Sequence, residues 1–154
     1  MPVALVVEDH PDLLALHSLA LEMARWLVVT AENTSAALDL ARCLVPDIVF
    51  TDYAMPGGDG LDLAHQLHSL PGLGDIPIVV VTGQPGTLRQ RQSNDAVVEV
   101  GAVLIKPVTP KRLQQTADTL HRACGRECLG PSRHWSDAMD LRLVGCRRIS
   151  GGHG

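Results

Sequence analysis

Four short hydrophobic runs that each end on polar residues are the feature of this sequence that most limits its fold. Between them lie longer stretches in which apolar residues recur every three or four positions. Short apolar runs separated by helical stretches are typical of parallel strands buried on both faces of a sheet. The runs are Ala4–Val7, Asp47–Phe50, Ile76–Val81 and Ala102–Ile105. With a further strand at Leu27–Thr30, they predict an α/β fold of five βα units, a doubly wound three-layer sandwich.

The polar residues that follow the runs predict one reaction centre. They are Glu8 and Asp9, Thr51 and Asp52, Thr82, and Lys106. In an open parallel sheet, ligands bind outside the carboxyl ends of the strands. We therefore expect three carboxylates, a hydroxyl and an ammonium to converge at one edge. Carboxylates suit Mg²⁺, and an ammonium and a hydroxyl suit phosphoryl oxygens, so the sequence predicts a site for both.

Each of these residues, taken singly, also has a purely structural explanation. Glu8 and Asp9 would favour the positive end of the first helix, and Asp52 would cap a turn. Thr82 would be an ordinary strand residue, and Lys106 a solvated charge before a proline. Their joint appearance at four strand ends favours the reaction centre instead.

Turn and cap residues divide the intervening segments into helices. The first helix is predicted from Pro11 to about Trp26, with one apolar face formed by Leu13, Leu16, Ala20 and Met23. The other predicted boundaries are a cap at Thr34 or Ser35 for a helix to Leu44, helices at Leu61–Leu70 and from about Thr87, and a last helix from a Thr109 cap to Gly125.

Charge is spread unevenly along the 154 residues. Residues 1–120 carry a net charge of −7, and residues 121–154 carry +3. The change of sign predicts a first domain at residues 1–124 and a C-terminal extension at 125–154, with one short helix near Ser136–Val144. An acidic body gives no electrostatic reason to bind nucleic acid. The extension is too short for a separate output domain.

The sequence shows no pattern of membrane insertion or export. It has no run of about 18 apolar residues, the length that a transmembrane helix needs. The segment Met1–Leu5 lacks the basic region of a signal peptide and leads directly into a strand. We therefore predict a cytoplasmic protein without a membrane partner.

The motifs resemble those of the receiver domain of two-component response regulators. They are Leu5–Asp9, the loop Asp52–Leu61 with its D-x-x-M-P-x-x-D-G pattern, the pair Thr82-Gly83, and the pair Lys106-Pro107. The resemblance implies a flavodoxin-like sheet of five parallel strands in the order 2-1-3-4-5. It also implies a cis peptide bond between Lys106 and Pro107.

The resemblance assigns a role to each matching residue. Asp52 would be the phosphoacceptor, and Asp9, Asp52 and the Ala54 carbonyl would bind Mg²⁺, with Glu8 acting directly or through water. Thr82 and Lys106 would hold phosphoryl oxygens together with the backbone N–H groups of Ala54 and Gly83. Side chains at the positions of Ala54 and Gln84 tune loss of the phosphoryl group in this family. The switch position, usually Tyr or Phe, is Val103 here, and valine cannot make that aromatic rotation.

The implied function is a stand-alone phosphoacceptor switch. A sensor histidine kinase or histidine phosphotransfer protein would phosphorylate Asp52, and this would change a surface of the last two helices and last strand that an unknown target protein binds. The extension would enlarge that surface or mediate homodimer formation. The alternative is a phosphate sink or relay intermediate that passes phosphate to a phosphotransfer protein. We expect no enzyme activity beyond self-phosphorylation and self-dephosphorylation, because a phosphohydrolase of the haloacid dehalogenase type needs an acid–base carboxylate where this chain has Ala54.

Overall fold

The computed structural model describes residues 1–94 and 100–127. It shows a five-stranded parallel sheet flanked by five helices. The strands are β1 Val3–Val7, β2 Leu27–Ala31, β3 Ile48–Asp52, β4 Ile78–Thr82 and β5 Ala102–Ile105. The helices are α1 Pro11–Met23, α2 Thr34–Leu44, α3 Gly60–His68, α4 Pro85–Asn94 and α5 Pro110–Glu127. The strand order is β2-β1-β3-β4-β5, so the predicted fold class and order are confirmed.

The three inner strands are buried along their whole length. Every residue of β1, β3 and β4 is buried, whereas the edge strands β2 and β5 are partly exposed. Because helices cover both faces of the sheet, the inner strands are continuous apolar runs rather than alternating ones. This is why the hydrophobic runs located the strands well.

The strand register places the polar residues at one edge. Val7 is paired with Thr51, Asp52 with Val81, and Thr82 with Ile105. The carboxyl ends of β1, β3, β4 and β5 therefore finish at nearly the same height. Any residue that ends or follows one of these strands lies beside its counterparts.

Two large apolar clusters, besides a smaller one that includes Leu88 of α4, fill the space between the sheet and its helices. One lies under α1 and α5 and includes Trp26, Phe50 and Leu113. The other lies under α2 and α3 and includes Leu63 and Leu67. Together they fix the helices on both faces of the sheet, which makes the strand ends a rigid platform.

The prediction for α1 was partly wrong. The helix ends at Met23, not near Trp26, because Arg25 has a φ of 66° and turns the chain toward β2. Its buried residues are His17, Ala20 and Leu21. Leu16 and Met23 are 47% and 72% exposed, so two of the four residues of the predicted apolar face lie outside the core, while Ala20 is buried as predicted.

Most other helix boundaries shifted by one to three residues. The α2 cap is Asn33, whose side chain accepts from the Ala36 N–H at 2.8 Å, rather than Thr34 or Ser35. The Thr109 cap is confirmed, since its hydroxyl accepts from the Arg112 N–H at 3.2 Å. The predicted end at Gly125 is wrong, because α5 continues to Glu127. The helix predicted near residues 136–144 lies outside the described residues.

None of the helices in the described part of the chain combines the length and the apolar character needed to cross a membrane.

Candidate functional site

Three carboxylates meet where β1 and β3 end. Glu8 and Asp9 directly follow β1, and Asp52 is the last residue of β3. One oxygen from each lies within 4.8 Å of the other two. Glu8 and Asp52 are buried, with exposed fractions of 2% and 8%, while Asp9 is exposed. The site therefore opens to solvent on the side of Asp9.

Lys106 brings the positive charge to this cluster. Its ammonium lies 3.1 Å from Oδ2 of Asp52 and 3.5 Å from Oε2 of Glu8. The Lys106 N–H donates to the Thr82 carbonyl at 2.8 Å, which ties the residue to the end of β4. The peptide bond between Lys106 and Pro107 is cis, as the resemblance implied. The structure thus joins Lys106 to both acidic strand ends.

Thr82 ends β4 and is almost completely buried. Its hydroxyl oxygen accepts from the Gln84 N–H at 2.9 Å. Because a hydroxyl both accepts and donates, its hydrogen remains available to an incoming oxygen. Gly83 follows directly, and a Cβ there would have no atom within 4 Å. The backbone at Gly83 therefore borders open space.

The electrostatics of the cluster leave negative charge uncompensated. The pKa of Glu8 is raised, first by burial and also by the nearby Asp52 carboxylate and by Asp9. The His10 N–H, which donates to Glu8 at 3.2 Å, and the Lys106 ammonium act in the opposite direction without cancelling the rise. One ammonium faces three carboxylates, so a cation at this site would relieve their repulsion.

The spacing of the carboxylates suits a small divalent cation. The three carboxylate oxygens lie within 4.8 Å of one another. Mg²⁺ prefers such oxygen ligands and usually keeps several waters, so this donor set fits the ion.

The remaining predicted residues lie on loops and on the edge strand. Ala54 is exposed in the loop between β3 and α3, and Gln84 is exposed just before α4. Val103 lies on β5 opposite Val80, with 37% of its surface exposed. The structure thus brings Glu8, Asp9, Asp52 and Lys106 together, and it shows these other three positions as partly or fully exposed.

A structural requirement at Gly60 was missed in the sequence. A Cβ at this position would lie 2.6 Å from the Asp52 carbonyl oxygen and 3.2 Å from the Tyr53 Cα. The Gly60 N–H donates to the Tyr53 carbonyl at 2.7 Å. The start of α3 therefore rests directly on the backbone of Asp52, which only glycine permits. The D-G pair in the loop pattern was the available signal.

The site also has a neighbour that no sequence pattern indicated. Arg91 of α4 forms ion pairs with Asp59 and Asp62 at the start of α3. These residues are separated by 32 and 29 positions in the chain. Contacts between side chains so far apart depend on the relative placement of two helices, which local periodicity does not specify.

The family model for the response regulator receiver domain matches residues 4–118 of the chain. The chain belongs to the response regulator receiver domain family. The match covers β2 to β5 completely, β1 except Val3, and all the helices except the end of α5, and it includes every residue of the carboxylate cluster together with Lys106.

Individual relatives agree with this family. Over 123 residues this receiver domain is 31% identical to the phosphate regulon transcriptional regulatory protein PhoB of Pseudomonas aeruginosa, covering 79% of this chain and 52% of that protein. It is 32% identical over 111 residues to an uncharacterized 14.6 kDa protein of Leptolyngbya boryana, covering 71% of this chain and 82% of that protein. The chain thus spans about half the length of the first of these curated relatives.

Solved structures show the same fold. The chemotaxis response regulator CheY4 of Vibrio cholerae superposes with a TM-score of 0.70 at 23% identity, covering 78% of this chain and 98% of that chain. A sensor protein from Polaromonas gives a TM-score of 0.69 at 26% identity, covering 81% and 97%. At the lower identity, the likeness concerns the fold alone.

Proposed function

We propose that this receiver domain is a phosphoacceptor switch in which Asp52 takes a phosphoryl group from a phosphohistidine. The supporting observation is the Lys106 ammonium 3.1 Å from the buried Asp52, beside two further carboxylates. An Asp52 oxygen forms a bond to phosphorus while the phosphorus–nitrogen bond of the donor breaks. The imidazole leaves and takes up a proton from solution. The product is an aspartyl phosphate.

A Mg²⁺ ion held here would supply positive charge that offsets the negative charge of the transferred group. In this proposal Asp9, Asp52 and the Ala54 carbonyl hold the ion, and Glu8 acts directly or through water. The clustering of three carboxylates beside one ammonium supports the assignment, because a cation would relieve the repulsion between them.

Lys106, Thr82 and the backbone N–H groups of Ala54 and Gly83 hold the phosphoryl oxygens in this proposal. The Lys106 ammonium is a compact charge already beside Asp52. The Thr82 hydroxyl, which accepts from the Gln84 N–H, still has its hydrogen to donate. Thr82 ends β4 and Lys106 directly follows β5, so the sheet positions these two side chains, and preorganised donors stabilise developing charge with little reorganisation.

The chain acts as a switch, not as a turnover enzyme, in this proposal. A phosphohydrolase with an aspartate nucleophile needs an acid–base group near the leaving oxygen. Two residues after Asp52 the chain has Ala54, whose methyl group moves no proton. We expect a single transfer per Asp52 and no sustained hydrolysis of a phosphate monoester such as p-nitrophenyl phosphate.

The output in this proposal is a protein-binding surface formed by α4, β5 and α5. Val103 and Ile105 of the edge strand are 37% and 55% exposed, so they present adjacent apolar surface on this face. A downstream protein or a second copy of the chain would cover them. Phosphorylation acts only through its different stabilisation of the inactive and active states. A sensor histidine kinase or histidine phosphotransfer protein supplies the phosphoryl group.

The proposed aspartyl phosphate is lost at a modest to slow rate. Ala54 has no polar atom in its side chain with which to orient an attacking water, although the exposed Gln84 does. Replacing Ala54 with Asn adds a polar group two residues from Asp52. We expect faster loss of the phosphoryl group in Ala54→Asn, followed by intact mass after removal of the donor. An unchanged rate would count against this role for position 54.

The decisive experiment is incubation with a small phosphoryl donor and Mg²⁺. Acetyl phosphate and phosphoramidate, whose phosphorus–nitrogen bond imitates phosphohistidine, should each add one phosphoryl group by intact mass. Peptide mapping after reduction of the acyl phosphate should place it on Asp52. Omission of Mg²⁺ should abolish the gain.

The matched variants are Asp52→Asn and Asp39→Asn. Both remove one carboxylate, but Asp39 is exposed on α2, with 64% of its side chain accessible, and belongs to no site. Asp52→Asn should remain unmodified and Asp39→Asn should be modified like the unaltered protein. Modification of Asp52→Asn to the same extent would refute the assignment of the phosphoacceptor.

A further inference from the structure

Arg91 of α4 forms ion pairs with two residues at the start of α3 through both terminal nitrogens of its guanidinium. Nη1 pairs with Oδ2 of Asp59, and Nη2 lies 2.8 Å from Oδ1 of Asp62. Planar guanidinium groups make such two-pronged contacts, which are stronger and more directional than those of an ammonium. We call this contact the Arg91 fork.

The two carboxylates of the Arg91 fork also cap α3. The other oxygen of Asp59, Oδ1, accepts from the N–H groups of Leu61 and Asp62, both at 2.9 Å. The other oxygen of Asp62, Oδ2, accepts from the Asp59 N–H at 3.3 Å. Each carboxylate therefore uses one oxygen for the helix start and the other for Arg91. A shift of the helix start changes the fork directly.

The start of α3 is in turn tied to the backbone of Asp52. Gly60, between the two fork carboxylates, donates to the Tyr53 carbonyl at 2.7 Å and leaves no room for a Cβ beside the Asp52 carbonyl. Close packing transmits a displacement of the Asp52 backbone to Gly60 rather than absorbing it. The path from Asp52 to Arg91 thus consists of direct contacts.

A second anchor of α4 reaches the same segment. Leu88, one turn before Arg91, is buried in a cluster with Tyr53, Leu61 and Val80. The pKa of the Tyr53 hydroxyl is raised, first by burial and then by Asp59, while Arg91 opposes the rise, which agrees with their proximity. These two contacts of α4 therefore both involve the segment that follows Asp52, through Tyr53, Asp59 and Leu61.

We propose that the Arg91 fork is the element through which the state of Asp52 controls α4. The fork is formed in the unmodified protein, so it stabilises the inactive arrangement. Phosphorylation of Asp52 moves the loop that leads to Gly60, weakens the fork and releases α4. This inference rests on the proposed function, and it gives the chain a coupling element that needs no aromatic residue at Val103.

The test compares Arg91→Gln with the unaltered protein in the rate of modification by phosphoramidate. If the fork favours the inactive state, its loss raises the population that accepts phosphate, because coupling between two sites is reciprocal. We expect a rate increase of roughly fivefold, the lower end of common couplings. Arg91→Lys keeps the charge without the two-pronged geometry and should give a smaller increase. If the fork only stabilises the fold and is not coupled to Asp52, Arg91→Gln would leave the rate of modification unchanged or lower it, and the proposal would be wrong.

Hydrogen exchange along α4 is the second measurement. In the unaltered protein, phosphorylation should speed exchange of the amides in Pro85–Asn94. Arg91→Gln should exchange at the faster rate before any phosphate is added, and phosphorylation should change it little further. Arg42→Gln is the matched control, because it removes an exposed guanidinium from a 3.6 Å ion pair with Asp39 on α2.

The outcomes separate this inference from the proposed function. If the unaltered protein takes no phosphoryl group, the proposed function fails. If it is modified on Asp52 but Arg91→Gln matches Arg42→Gln in both rate and exchange, only the fork is refuted. Equal exchange of α4 with and without phosphate in the unaltered protein also refutes the fork.

Discussion

Two acidic clusters lie on either side of the loop between β3 and α3, and their neighbours give them opposite properties. The first, formed by Glu8, Asp9 and Asp52, has three carboxylates and one ammonium. The second, formed by Asp59 and Asp62, has two carboxylates, one guanidinium and several backbone N–H donors at a helix start. The residue types are the same, so the difference comes from what surrounds them.

The second cluster is satisfied by the protein itself. Each of its carboxylates accepts from backbone N–H and pairs with Arg91, and the positive end of α3 favours both charges. The first cluster lies at strand ends, where Glu8 accepts the N–H of His10 at the start of α1, yet burial still raises the pKa of Glu8. A count of acidic residues therefore does not identify a cation site; the balance of neighbouring donors does.

The largest expected difference between the clusters is in Mg²⁺ affinity. Asp9→Asn removes one anionic ligand from the first cluster and should weaken Mg²⁺ binding by about tenfold or more. Asp62→Asn removes the same charge from the second cluster and should change the affinity by less than about twofold. Isothermal titration with MgCl₂ measures both. Equal weakening in the two variants would contradict a specific site at the first cluster. It would mean that both clusters bind the same ion, or that Mg²⁺ responds only to the net charge of the protein.

The next largest effect is expected on stability, at the close contact between Gly60 and the backbone of Asp52 that lies between the two clusters. Gly60→Ala places a Cβ 2.6 Å from the Asp52 carbonyl oxygen. We expect a loss of about 1–3 kcal/mol in the free energy of unfolding, because backbone must move to make room. Gly86→Ala on α4, where a Cβ meets no atom within 4 Å, is the control. It should be neutral or stabilising by up to about 1 kcal/mol, since alanine favours a helix. Urea unfolding compares them.

When no metal is present, removal of one carboxylate charge should change the free energy of unfolding in opposite directions in the two clusters. The pKa of Glu8 is raised above its usual 4.5, so its charged form lowers the stability of the fold at neutral pH. This penalty is absent below pH 4.5 and appears as pH rises through the folded pKa. Glu8→Gln should therefore raise the free energy of unfolding in EDTA at pH 7 by roughly 1 kcal/mol or less.

The corresponding change in the second cluster is Asp59→Ala. It removes an N-cap and one prong of the Arg91 fork and should lower the free energy of unfolding by about 1–2 kcal/mol. Urea unfolding of both variants in EDTA at pH 7 tests the contrast. Destabilisation by Glu8→Gln would show that the first cluster is compensated as well as the second.

The smallest expected effect is a dependence of the free energy of unfolding on pH. It comes from His17, which is buried in α1. Burial lowers its pKa below the usual 6.5, the Lys106 ammonium adds to the lowering, and Asp52 opposes it. The neutral ring is favoured in the fold, so its contribution is present above pH 6.5 and is lost as pH falls through the folded pKa. His17→Gln should flatten this part of the stability profile. His65→Gln, exposed on α3, should leave it unchanged.

The sheet and its ionic residues were predictable because they follow short-range rules. Buried parallel strands are continuous apolar runs, and parallel strands bring Glu8, Asp52 and Lys106 to one edge whatever the details of the helices. The strand order and the cis bond before Pro107 came from resemblance to a family, since periodicity specifies neither.

The errors share a physical origin. Leu16 and Met23 satisfy helical spacing, but the face of α1 that meets the sheet is set by how α1 packs on α5 and β2, and it carries His17, Ala20 and Leu21. Several residues near the start of α2 are good caps, and the geometry of the preceding turn selects Asn33. Arg91 meets its partners only through the packing of α4 beside α3. In each case the outcome depends on how the helices pack in three dimensions, which the local sequence pattern does not specify.

Lys106 divides one ammonium between carboxylates on two different strands, at 3.1 Å from Asp52 and 3.5 Å from Glu8. Any group that arrives on Asp52 and draws the ammonium toward itself removes a partner from Glu8. A buried acid at the end of β1 would thus respond electrostatically to a group bound at the end of β3. Infrared spectroscopy of the Glu8 carboxyl vibration would detect that response.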